Sequence, residues 1–243
     1  MPKSRQIPSK SKPMKNLLTG PKIRIFPEEL LAFFDQEQQD KDYGTHTSAI
    51  TGMIGEDLVL GLFIDHLERK GVKNLALISY KCTTGKKTGP RLDAWISSAG
   101  NVLRQVEVKN WAANAIGGEH VDPKAKKKAV AVSANLIFKR YFTDPKVKQK
   151  VLKVLKPMSP PKGYKAFKRL PTLAVWSVVS DGCSLPPCFR IKNIYRHKKE
   201  FQLLEVFSAS LYLRKHGDRK SFKIYMPRFT QRMDLLKGFT DLT

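Results

Sequence analysis

The chain has 243 residues, with 45 Lys and Arg against 21 Asp and Glu, a formal charge of +24, and 41% hydrophobic residues. That length gives one large domain or two small ones, the apolar content suffices for a packed core, and the periodicity of long segments excludes a disordered chain. No stretch approaches the ~20 consecutive apolar residues of a membrane span, and the cationic surplus favours a polyanionic partner, nucleic acid ahead of a ribosomal or anionic membrane surface.

Residues 1–25 carry seven cations, Lys3, Arg5, Lys10, Lys12, Lys15, Lys22 and Arg24, with no acid and four prolines. They read as a flexible basic arm that adds phosphate affinity without a fold, or as a terminus with no role. The opening is polar and lacks the apolar region of a signal peptide. Three cysteines, Cys82, Cys183 and Cys188, do not make a disulfide framework. Together these features predict a reducing, cytoplasmic protein, nucleoid-associated if prokaryotic, that is not secreted.

Pro27, Glu28 and Glu29 open a short helix with Leu30, Leu31, Phe33 and Phe34 as its apolar side. Residues 35–46 read as a loop. A longer helix is predicted over 48–70, capped by Gly71 and apolar on most sides, hence buried against a sheet. Glu56 and Asp57 lie inside that run, where a carboxylate must be paired, bind a cation or reach solvent. Three strands follow, over 74–80, 91–97 and 102–109. The short turn Ala99-Gly100-Asn101 makes the last two an antiparallel hairpin.

Helices are predicted from Asp122-Pro123 to about 141 and from Asp144-Pro145 to about 155, with a linker over 157–163. Residues 124–170 hold fifteen Lys or Arg against one acid, Asp144. The run LAVWSVV, 173–179, bounded by Pro171 and Gly182, has the profile of a strand buried on both faces. A helix over 200–216, with Phe201, Leu203, Leu204, Phe207 and Leu211 on its apolar side, a strand over 222–225 and a helical turn or two over 231–236 complete the chain. Interspersed helices and strands without a repeat predict an α/β fold with helices on both faces of a mixed sheet.

Strand alternation singles out a candidate site. Leu103, Gln105, Glu107 and Lys109 share one face of their strand, with Glu107 and Lys109 about 7 Å apart. Asp93 lies in the neighbouring strand of the hairpin and can converge with Glu107. Two carboxylates attract a hard divalent cation, which lowers the pKa of a bound water and stabilises charge on a phosphoryl oxygen. A lysine one step along the same face can hold the attacking water and offset the growing negative charge. Those parts suffice to hydrolyse a phosphodiester. Gln105 could touch this site, although a sheet hydrogen bond is its commoner role.

The run Gly89-Pro90-Arg91-Leu92-Asp93, followed by Glu107-Val108-Lys109, resembles the PD-(D/E)XK nuclease signature. This superfamily includes restriction endonucleases, Holliday-junction resolvases and many repair exonucleases. The resemblance covers roughly 48–180. It implies a restriction-endonuclease-like αβββαβ core within a three-layer αβα fold, mapped onto 48–70, 74–80, 91–97, 102–109, 123–141 and 173–179. The signature proline stands three residues before Asp93 rather than beside it. The resemblance implies metal ligation by Asp93, Glu107, Glu56 and the Val108 carbonyl, with Lys109 activating water and Mg²⁺ as the cofactor, replaceable by Mn²⁺. The domain layout expected is the arm, 1–25, and one nuclease domain, 26–243, with its core over 48–180 and an extension over 181–243.

Lys124, Lys126, Lys127 and Lys128, at a helix N-terminus that already favours phosphate, together with Asn110 and Trp111 just past the motif, are candidates to grip DNA. A solvated cationic face is the equal alternative. Residues 112–121, with Gly117, Gly118 and His120, read as a substrate loop or merely a turn. Cys183, Cys188 and His197 lack the spacing and the fourth ligand of a zinc site and read as loop thiols. The expectation is therefore a metal-dependent deoxyribonuclease in recombination, repair or anti-phage defence. It would act on DNA, away from membranes, alone, as a homodimer or with a protein partner. The alternatives are a dimeric junction resolvase and a non-catalytic basic nucleic-acid-binding protein.

Overall fold

The structure is a computed structural model. It describes residues 18, 20–36, 55–80, 92–112, 154, 156–177, 186–192, 201–230 and 234, with the backbone alone at 33–36, 79–80, 109–112, 177 and 191–192. The predicted helices over 123–155 and 231–236, with the exception of Val154 and Asp234, lie outside these residues, as does the arm up to residue 17.

Six strands form one mixed sheet: β2 (Ala76–Tyr80), β3 (Ala94–Ser98), β4 (Val102–Ala112), β5 (Lys168–Ser177), β6 (Cys188–Lys192) and β7 (Leu203–Ser208). Their spatial order is β2-β3-β4-β5-β7-β6. β2, β3 and β4 are an antiparallel meander, β4, β5 and β7 run parallel, and β6 returns antiparallel to β7. A separate antiparallel ribbon pairs β1 (Lys22–Ile25) with β8 (Phe222–Tyr225). The described helices are α1 (Pro27–Gln36), α2 (Glu56–Arg69) and α3 (Ala209–Lys215). The α/β class expected from sequence is thus the class observed. Among the described residues no helix is long and apolar enough to cross a membrane.

The α2 helix lies over one face of the sheet, its Leu58, Val59, Leu62 and Phe63 packed in one core with Ala94, Ile96, Val106 and Val108 from β3 and β4. It ends as the sequence predicts. Gly71 adopts φ 72°. Its N–H donates to the Glu68 carbonyl at 2.9 Å and that of Val72 to the Leu67 carbonyl at 3.0 Å, the paired bonds of a Schellman motif. The hairpin turn is equally legible: Gly100 and Asn101, the residues that tolerate left-handed backbone, take φ 74° and 53°. On the opposite face Leu92, Trp95 and Leu103 pack with Met158, in the segment predicted as a linker, and with Tyr164 and Phe167 just beyond it.

Several elements differ from the sequence reading. Lys22–Ile25 belongs to β1 rather than to a free arm, because Ile23 and Ile25 pair with Ile224 and Phe222. The expected helix over 200–216 is strand β7 followed by the short helix α3. Ser208 makes the break: its backbone is extended and its side chain accepts the Leu211 N–H, an N-cap in the middle of the apolar run. β5 starts at Lys168, before Pro171, rather than after it. Pairing with β7 begins only at Thr172, so the proline stands outside that ladder. β2 begins at Ala76 because Asn74 is left-handed, with φ 54°. β3 begins at Ala94, which puts Asp93 in the bend before the strand. β4 continues to Ala112, so Asn110 and Trp111 are strand residues instead of lying past it. Cys188 opens β6 instead of lying in a loop.

Candidate active site

The site is built on unequal strand lengths. β3 pairs with β4 from Ala94↔Val106 to Ser98↔Val102. β4 runs on past this register, paired on its other side with β5 as far as Ala112↔Ser177. Asp93, one residue before β3, therefore stands across from Glu107. Where β3 has ended, the Asp93 side chain takes over its pairing role: the Val108 N–H donates to Asp93 Oδ2 at 2.7 Å. A backbone donor that would otherwise lose its ladder partner is thereby satisfied.

Alternation along β4 separates two environments. Arg104, Val106 and Val108 face α2, whereas Leu103, Gln105 and Glu107 face the other way, toward Trp95 and the 154–158 segment. Glu107 is 2% exposed. Its neighbour Gln105 is fully buried. The Gln105 Nε2 donates to the carbonyls of Val154 at 2.8 Å and Lys156 at 2.7 Å, and its Oε1 accepts from the Met158 N–H at 3.2 Å. In place of the sheet hydrogen bond expected for it, Gln105 clamps a neighbouring segment that lies outside the strands. Arg169 adds a bond from Nη1 to the Met158 carbonyl at 2.9 Å.

Asp93, in the bend before β3, and Glu107 of β4 offer oxygen donors, a set that fits a hard divalent cation such as Mg²⁺, which takes one or two carboxylates and completes its shell with water. Glu56 is not grouped with them. It is half-buried in the first turn of α2, on the helix packed against the opposite face of β4. Among the described residues no three His, Cys, Asp or Glu side chains cluster as a metal-holding group. Its neighbour Asp57 has a structural partner, accepting the Arg228 N–H at 3.2 Å. Lys109 lies in β4 at the register of Val175, and its side chain, with those of Asn110 and Trp111, lies outside the described residues. So do Lys124, Lys126, Lys127, Lys128 and His120.

On the α2 face of the sheet a second polar set, missed in sequence, ties five strands together. Arg104 Nε meets Glu205 Oε1 at 2.8 Å, both side chains buried. Arg104 Nη1 donates to Ser98 Oγ at 3.1 Å, and Thr172 Oγ1 to Glu205 Oε1 at 3.3 Å. Arg190 Nη2 reaches Glu205 Oε2 at 3.5 Å. Nearby, burial pushes the Cys188 thiol up to about 12, so it stays protonated at neutral pH and is a poor nucleophile. In sequence these charges and hydroxyls are scattered between Ser98 and Glu205; the pairing of five strands, parallel and antiparallel, joins them.

Compared with protein-family models, with curated proteins and with solved structures, the chain finds no match.

Proposed function

We propose that the protein is a metal-dependent deoxyribonuclease of the PD-(D/E)XK type. The observation that carries this reading is the placing of Asp93, one residue before β3, across from Glu107 of β4, in an antiparallel meander whose third strand continues parallel to β5. That order of strands is the one expected of a restriction-endonuclease-like αβββαβ core.

In this reading Asp93 and Glu107 hold Mg²⁺ or Mn²⁺, with the Val108 carbonyl beside them and Glu56 acting through water. The cation, once bound, lowers the pKa of a water and stabilises charge on the phosphoryl oxygen. Lys109 orients that water toward phosphorus and offsets the developing charge. Lys124, Lys126, Lys127 and Lys128 hold the DNA backbone, with Asn110 and Trp111 close to the cut. The basic surface contributes salt-sensitive affinity rather than sequence choice. Recombination, repair and anti-phage defence are the settings that suit such an enzyme, with a homodimeric junction resolvase as a special case.

A second reading, nucleic-acid binding without cleavage, is supported by the formal charge of +24, which gives phosphate affinity without any catalytic site. Supercoiled plasmid incubated with the protein and Mg²⁺ or Mn²⁺, beside the Asp93→Asn and Glu107→Gln variants, decides between them. Nicking or linearisation that needs the metal and disappears in both variants supports the nuclease. A gel shift without any product on plasmid, linear DNA or a four-way junction supports the binding protein. Cleavage that survives both substitutions removes the proposed site.

A further inference from the structure

The β1–β8 ribbon has two unlike faces. Ile23 and Ile25 of β1 and Phe222 and Ile224 of β8 point inward to the main core. The outward face carries Lys22, Arg24 and Lys223, all exposed. Arg24 and Lys223 are direct cross-strand partners. Like charges in that relation repel and cost the ribbon stability. No carboxylate among the described residues forms an ion pair with any of the three.

Phe26 continues the alternation of Lys22 and Arg24 just past the end of β1. It is 44% exposed and is the one large hydrophobic side chain exposed among the described residues. A cationic pair and an aromatic ring thus follow one another at the about 7 Å spacing of alternate strand residues. Beside the Lys22–Tyr225 pair the Met226 N–H donates to the Pro21 carbonyl at 3.1 Å, and Gly20 lies against the Tyr225 ring.

We infer that this outward face is a docking strip for single-stranded DNA, with Lys22, Arg24 and Lys223 on consecutive phosphates and Phe26 stacked on an unpaired base. Charge complementarity accounts for the cross-strand repulsion, which the phosphates bound at Arg24 and at Lys223 offset. The exposed ring selects an unstacked base over a duplex, whose bases are already stacked. The inference rests on the nucleic-acid part of the proposed function and narrows its substrate to one with a single-stranded portion. The strip would receive that portion away from the carboxylates at Asp93 and Glu107.

Fluorescence anisotropy of a labelled 20-nucleotide oligothymidylate and of a duplex of the same length, in EDTA across a salt series, tests it independently of cleavage. Three variants are compared with the unaltered chain: Phe26→Ala, Phe26→Trp and the pair Arg24→Ala with Lys223→Ala, each checked for an unchanged thermal unfolding curve. The expected result is a loss of about fivefold or more on the single strand with Phe26→Ala, recovered by Phe26→Trp and much smaller on the duplex. The double variant flattens the dependence of log affinity on log salt by about 1.4, the share of two phosphate contacts on a single strand. Tight binding of both DNAs that none of the variants alters overturns the strip and leaves the nuclease reading standing. Failure of the unaltered chain to bind either DNA overturns both.

Discussion

The Val108 N–H donates to Asp93 Oδ2 at 2.7 Å, tying the bend before β3 to the strand that carries Glu107. One carboxylate therefore serves two purposes in the proposed site: it completes the hydrogen bonding of β4 where β3 stops, and it supplies a ligand oxygen. The two are separable. Asp93→Asn keeps an acceptor for the Val108 N–H but forfeits the charge that attracts a divalent cation, whereas Asp93→Ala forfeits both. Urea unfolding is expected to place Asp93→Ala about 1–3 kcal/mol below the unaltered chain, with Asp93→Asn losing much less. Plasmid cleavage is expected to be abolished in both.

A close helix–strand crossing gives a second prediction. A Cβ on Gly61 would stand 2.3 Å from the Tyr225 carbonyl oxygen, a backbone atom that cannot rotate away. The glycine in the middle of α2, an unfavourable residue there by propensity, is what lets β8 and its ribbon lie on the helix. Gly61→Ala should improve the helix propensity yet destabilise the protein by about 1–3 kcal/mol through the displaced strand. A rise in thermal midpoint for Gly61→Ala would mean that the helix and the ribbon do not cross as described.

How far the sequence discloses this fold depends on whether a signal is local. The Gly71 cap, the Gly100-Asn101 turn and the start of α1 at Pro27 are local, and each is legible from neighbouring residues. So is the alternation that puts Glu107 on the face away from Val106 and Val108. The misread segments are those where local patterns conflict. Leu203, Leu204, Phe207 and Leu211 fit a helical stripe, but Leu203–Ser208 pairs with strands on both sides and is buried on both faces, which erases alternation. Ser208, an N-cap residue in mid-run, was the available clue. In Lys22–Ile25 the alternation of Ile23 and Ile25 was present, overshadowed by the prolines and cations around it. The Arg104–Glu205 pair spans 101 positions in the chain, and no spacing rule reaches that far.

That pair supports a third prediction. Arg104 and Glu205 are 6% and 4% exposed, so neither charge is rescued by water once its partner is removed. Arg104→Met and Glu205→Gln are each expected to cost about 3–5 kcal/mol. The double variant, with no charge left stranded between these two positions, should lose clearly less than the sum. Denaturation midpoints of the four proteins form the cycle. Simple additivity would mean that Ser98, Thr172 and Arg190 satisfy each partner independently.

The last prediction concerns acid sensitivity. His66, in the final turn of α2, is 6% exposed and stands 5.5 Å from the ring centroids of both Phe207 and Tyr212. Burial, reinforced by Lys70, pulls it from its ordinary 6.5 down to about 4, against the opposing influence of Glu205; Lys215 and His216 act in the same direction as Lys70. The folded protein therefore holds His66 neutral at pH values where the unfolded chain already binds the proton. The stability contributed by the neutral ring is complete above about pH 6.5 and falls as pH drops through the window down to about 4. At pH 5 this group alone should lower the unfolding free energy by about 2 kcal/mol relative to pH 7.5. His66→Phe, which keeps an aromatic ring between Phe207 and Tyr212, is expected to remove that share of the pH dependence and leave the contributions of the other groups in place. Urea unfolding of both proteins at pH 7.5, 6, 5 and 4.5 measures it. Parallel stability curves for the two would mean that His66 is as easily protonated in the folded state as in the unfolded one.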